Sequence, residues 1–187
     1  MSTNSISDRL PIGAGAGAGV GAYLLGYLVS YVWLSGSVEE RLEGYNFVAQ
    51  LFGGEPIAVW QGVGWLFYNA HFVDTRIEGF GGTQSQNFIA GSDGGTITLM
   101  YLVPVVLLLA AGVVTARVAD ANDPSAGATA GAAVAIGYFP LALIGRFLFS
   151  YQGSAAPALV TAILLAGAVY PLVFGAIGGA LGSAVGE

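Results

Sequence analysis

The chain has 187 residues, of which 55% are hydrophobic and only 9% charged, with eleven acids against five basic residues for a formal charge of −6. Soluble domains carry about a quarter of their residues as charges, so this chain cannot cover a water-facing globule. The acidic balance excludes the basic patch that nucleic-acid binding requires, and the lack of cysteine excludes disulfides, zinc–thiolate sites and thiol nucleophiles.

Four uncharged stretches, Pro11–Ser37, Gly94–Ala116, Ser125–Gly145 and Gln152–Ala184, are each long enough to supply the roughly 20 apolar helical residues that cross a bilayer. They predict an all-α membrane protein: a four-helix transmembrane bundle with helices over 12–34, 97–118, 126–150 and 156–181, and polar tails at 1–11 and 182–187.

After the polar Met1–Leu10, Pro11 suits a first helical position, where its missing N–H costs nothing. The glycine–alanine alternation of residues 13–22 is poor helix-forming sequence in water, but in lipid the backbone has no other hydrogen-bond partner. Arg9 ahead of this segment and Ser35-Gly36-Ser37 behind it give the outline of a signal peptide, and the expectation is an uncleaved anchor. Tyr23, Tyr27 and Tyr31 share one helix face, and Trp33 marks an interface.

Residues 35–96 hold seven acids and two arginines and read as an acidic, helical extramembrane region. Ser37-Val38-Glu39-Glu40 matches a capping box and predicts an amphipathic helix over 37–52, ended by Gly53-Gly54. A second helix over 56–73 places Val59, Val63, Leu66, Ala70 and Val73 on one side. Trp60, Gln61, Trp65, Tyr68, Asn69 and His71 then form an interfacial or partner surface on a helix that lies on the membrane or caps the bundle, or crosses as a fifth span. Residues 74–95 read as loop, with a short strand at 86–90.

Asp120–Ser125 and Tyr151–Pro157 are compact connections that make the last three helices antiparallel neighbours. Pro140 and Pro171 are expected to kink their helices. The arginine count discriminates sidedness weakly; the reading taken is termini cytoplasmic and residues 35–96 external.

Small-xxx-small spacing occurs at Gly13, Gly17 and Gly21, at Gly127, Gly131 and Ala135, and at Gly175 and Gly179, and predicts close helix packing, within the bundle or with a second copy. The glycine run also matches a dinucleotide fingerprint superficially, but no strand precedes it and no open helix N-terminus follows. Arg146 is the one charge well inside an apolar stretch, a candidate intramembrane charge site that either snorkels or pairs with Asp74, Glu78 or Asp93.

His71, the lone histidine, lacks the companions of a metal site, and without a second base no serine, threonine or tyrosine is set up as a nucleophile. No catalytic, cofactor or metal residues are therefore assigned, and the expectation is not an enzyme. The composition, acidic and free of lysine, resembles that of small uncharacterised multi-pass membrane proteins of halophilic archaea; that resemblance rests on no motif and implies no function. Three functions stay open: a scaffold or accessory subunit acting as a homo-oligomer or in a membrane complex, a passive channel or carrier, and a binder of lipid or an apolar ligand such as a carotenoid.

Overall fold

A computed structural model describes residues 11–79 and 81–184; the expected N-terminal tail and the last three residues lie outside them. Four helices are long and apolar enough to cross a membrane: α1 (Ile12–Leu51), α3 (Gly95–Val118), α4 (Pro124–Leu148) and α5 (Leu159–Ala184). A short helix, α2 (Val59–Asn69), sits between the first two of these. Such helices suggest a multi-pass membrane protein.

The four pack in a ring in which α1 touches α3 and α4, and α5 touches the same two. One end of the bundle carries the α1–α2 and α4–α5 connections, and the other carries the α3–α4 turn. That turn is closed by Asp123, whose carboxylate accepts from the backbone N–H groups of Ser125 and Ala126 at 2.9 Å, with Pro124 in the first helical position.

Missing side chains let the helices approach to backbone contact. Gly127 and Gly131 of α4 lie against Gly175 and Gly179 of α5, and Gly112 of α3 also meets Gly175 and Gly179. Gly178 faces Leu109, Gly15 faces Ala133, and Gly19 faces Val134 and Tyr138. At each point a Cβ would collide with main chain or a Cβ, so dispersion between backbones holds these pairs together. Ala135 is only half-buried.

The packing expected of Gly13, Gly17 and Gly21 is corrected only for the bundle itself: within this chain a Cβ added to any of them would meet nothing within 4 Å, so that face is left open to a second copy. The alternation in residues 13–21 offers two glycine faces of equal spacing, and the one carrying Gly15, Gly19, Ala22 and Gly26 turns inward.

A second correction concerns α1, which runs unbroken through forty residues to Leu51 instead of stopping at 34 and restarting at 37. Ser37 does not cap a new helix: its hydroxyl donates to the Leu34 carbonyl at 3.0 Å, one turn back inside a continuing helix. A lone Gly36 is too weak a breaker to stop a helix that Leu34, Val38 and Leu42 pack against α2.

The all-α expectation also misses a small antiparallel sheet, of order β2-β1-β3, from β1 (Thr75–Gly79), β2 (Gly82–Gln86) and β3 (Ala155–Pro157). Thr75 pairs with Gln86 on one side and Pro157 on the other, tying the middle of the chain to the start of α5. Residues 88–91, inside or beside the expected strand at 86–90, form a turn instead. In α5 a π-helical stretch, Ala162–Val169, precedes Pro171, widening the helix just where the proline cannot donate. In α4 the irregularity falls at Ala133 rather than at Pro140.

Gly131→Val places a branched side chain against the Gly175 carbonyl and is expected to lower stability by about 1–3 kcal/mol or more. Gly17→Val, on the open face, should change it by less than about 0.5 kcal/mol. Thermal unfolding of the two variants in the same detergent checks the difference.

Candidate functional site

The polar residues of this chain concentrate around α2, and their partners trace how deeply it is inserted. Gln61 Nε2 donates to the Ser150 carbonyl at 3.0 Å, and Trp65 Nε1 to the Phe149 carbonyl at 2.7 Å. Further along, the Tyr68 hydroxyl donates to the Ala142 carbonyl, and His71 Nε2 meets the Tyr138 hydroxyl at 2.7 Å. From Ser150 to Tyr138 is twelve residues of chain along α4, about 18 Å at helical rise. The helix thus descends from the connection end into the middle of the bundle.

Three glycines make room for it. A Cβ on Gly62 would meet Val38 Cγ1 at 2.8 Å, one on Gly26 of α1 would meet the Phe67 ring at 3.0 Å, and one on Gly64 would enter the Phe149 ring. Val63, Phe67, Tyr68 and Ala70 are consequently fully buried.

The bottom of the insertion is an aromatic cluster. The Tyr23 ring lies edge-on to Phe67 and to Tyr138, both at 5.2 Å, and His71 lies 4.9 Å from Phe67 and 5.0 Å from Tyr170. Because the Tyr68 proton goes to Ala142, its oxygen accepts from the Tyr23 hydroxyl at 3.2 Å. His71 Nδ1 donates to the Phe67 carbonyl at 2.8 Å, which leaves Nε2 to accept from Tyr138. A neutral imidazole with its proton on Nδ1 satisfies both contacts.

Asn69 holds the exit from α2. Its amide nitrogen donates to the Val73 carbonyl at 2.8 Å and to Thr75 Oγ1 at 3.3 Å, while its oxygen accepts from the Phe88 backbone at 2.8 Å. Between these contacts Phe72 adopts φ +57°, a left-handed conformation normally filled by glycine at a helix end. Its ring stacks on Tyr101 at 4.6 Å. Sequence reasoning missed Phe72, since nothing in an aromatic residue signals positive φ.

These contacts correct the reading of residues 56–73 as an outward surface. Trp65, Tyr68, Asn69 and His71 are buried, Gln61 is half-buried, and only Trp60, at 38% exposure, still faces outward. The polar side-chain atoms of Gln61, Trp65, Tyr68, Asn69 and His71 are bonded within the fold, so α2 sits as a plug in the bundle. Among the described residues no group of three or more His, Asp or Glu side chains could hold a metal ion.

Arg146 lies in the last turn of α4, where a cation suits the helix C-terminus, with its guanidinium carbon 5.0 Å from the Phe147 ring centroid. The expected carboxylate partner is corrected: among the described residues the one ion pair is Arg76–Glu78 at 4.0 Å, and neither Asp74 nor Asp93 reaches Arg146. Beside the upper part of α2, a cavity of about 370 Å³ opens between α1, α2 and the sheet; Arg41, Trp65 and Glu78 are among its lining residues.

A double-mutant cycle on His71→Leu and Tyr138→Phe is expected to give a coupling of about 1 kcal/mol, with the single His71 change costing about 1–3 kcal/mol. Chemical denaturation in mixed micelles measures it; additive effects would mean that the hydrogen bond contributes nothing.

No curated protein and no solved structure matches the chain. A family model, described as a family of unknown function, DUF7978, matches residues 1–186, and the chain accordingly belongs to that family.

Proposed function

We propose that the protein is a non-catalytic integral membrane scaffold or accessory subunit that assembles through the free part of α1. The observation that carries this reading is the length and surface of that helix. Forty residues span about 60 Å, twice the hydrocarbon thickness of a bilayer, so α1 runs on past Leu42, which packs on α2, and past Asn46, which is bonded to Ile57.

The projecting part is not dressed for solvent. Phe47 is 65% exposed, Leu51 67% and Phe52 87%, with Tyr45 and Val48 beside them, while the acids Glu39, Glu40 and Glu43 lie in the turns before them. Contiguous exposed apolar side chains of this size mark an interaction surface. A second uncommitted face, along Gly13, Gly17 and Gly21, lies in the apolar half of α1 and suits close approach of a helix from another copy.

Four apolar helices support insertion across a membrane, and the exposed acids of residues 39–43 support placing the α1 projection, with the sheet, in water. The termini are read as cytoplasmic and this region as external. A passive channel or carrier is the weaker reading, because Gln61 and Asn69, which would line a conduit, spend their polar atoms on backbone partners. The absence of Asp and Glu from the apolar lengths of the helices also leaves an ion-coupled carrier without its usual carboxylate.

The mass of the intact assembly in a gentle membrane extract tests the proposal. The wild-type chain is expected to run as an oligomer or with a stoichiometric partner. Phe47→Ser with Leu51→Ser should weaken that assembly at least tenfold without lowering the thermal midpoint of the protomer. A wild-type protein that extracts as a lone monomer, unchanged by the double substitution, would remove the proposal.

A further inference from the structure

We propose that the cavity beside α2 binds the chain of a monoanionic single-chain amphiphile, such as a long-chain carboxylate, with its head held by Arg41. The site adjoins the assembly surface above, with Tyr45 at the border of both. At about 370 Å³ the cavity falls in the range of small-molecule sites but near its lower end, room for one slender chain rather than the two of a bilayer phospholipid.

Its walls are apolar. Trp65 and Leu66 of α2, Val38 of α1 and Ile57 line it, all of them buried, and the Trp65 ring is fixed by its bond to Phe149 and by stacking with Phe88 at 6.4 Å. Gly62 also lines the cavity, between Val38 and Leu42, at the point where a side chain would narrow it.

Its rim is polar, and its charge is unbalanced in a way that selects the ligand. Glu78 lies 4.0 Å from Arg76 and accepts from Thr83 Oγ1 at 2.6 Å, so its charge is already answered. Arg41 is exposed and, among the described residues, makes no ion pair. One uncommitted guanidinium over an apolar slot matches one carboxylate on one chain, because a fork of N–H donors binds a planar anion in two places. A neutral head would leave that cation unanswered. Arg41 stands seven residues past Leu34, about 10 Å farther along α1, which sets the cation on the water side of the apolar slot.

The test uses the full chain in nanodiscs of zwitterionic lipid, with Trp33→Phe and Trp60→Phe so that Trp65 is the single tryptophan. Dibrominated stearate is expected to quench it saturably, and the matching dibrominated alcohol to bind about tenfold more weakly. Arg41→Gln should bring the acid down to the affinity of the alcohol while leaving the alcohol unchanged. Ile97→Phe, which narrows the cavity from the α3 side, should weaken both.

The proposal is overturned by acid and alcohol quenching alike, by an Arg41→Gln variant that binds the acid as well as its parent, or by no quenching at all. Equal quenching by a dibrominated diacyl lipid would overturn it too, since Trp65 would then be sensing the bilayer. None of these readouts depends on oligomeric state, so the assembly proposal stands or falls separately.

Discussion

The end of α4 presents backbone carbonyls that no further turn of helix can satisfy, and α2 is what satisfies them. Helices leave their last carbonyls without intrahelical partners. Here Trp65 and Gln61 donate to Phe149 and Ser150, just past the last turn. Those two bonds set the depth and rotation of α2, and everything below follows: Tyr68 reaches Ala142, His71 meets Tyr138, and the Tyr170 hydroxyl comes to 3.5 Å from the Ala70 carbonyl. Desolvating so many polar atoms is favourable only because each is paired, which is why a helix with an asparagine and a histidine at its end can occupy the middle of an apolar bundle.

The glycines serve the same end from the other direction. Where α3, α4 and α5 meet through Gly112, Gly131, Gly175 and Gly179, the backbones close tightly and leave no room for a fifth element. On the α1 side the backbones close in the same way at Gly15 and Gly19, and farther along the bundle Tyr23, Phe67 and Tyr138 fill the space between α1 and α4 around α2, with Gly26, Gly62 and Gly64 making room for the inserted helix.

Much of this was legible in the sequence, and the parts that were not have identifiable reasons. Uncharged length alone reveals the four long helices, because nothing else produces more than twenty residues without a charge. Periodicity finds the apolar side of α2 but cannot say what covers the polar side; Gln61, Asn69 and His71 read equally well as facing water or as facing the Ser150 carbonyl, the Val73 carbonyl with the Phe88 backbone, and the Tyr138 hydroxyl that they meet in the fold. The glycine face of α1 is ambiguous for a geometric reason, since alternation places two identical stripes on one helix, and only the continuation through Ala22, Gly26, Ser30 and Leu34 identifies the inward one. The Ser37 motif misleads because a serine donating backward within a helix has the same local sequence as one that starts it. The cavity, built from six separate places in the chain, left no local signal at all.

The contacts that seat α2 join residues far apart in the chain: His71 to Tyr138 across 67 positions, and Ala70 to Tyr170 across 100. At a ribosome making about 5–20 residues per second, the partners of α2 emerge several seconds after it does. Until then Gln61, Trp65 and His71 lack the Ser150 carbonyl, the Phe149 carbonyl and the Tyr138 hydroxyl that they finally meet. The seating of α2 is therefore a late step of folding, in which the newest helices close around one of the oldest.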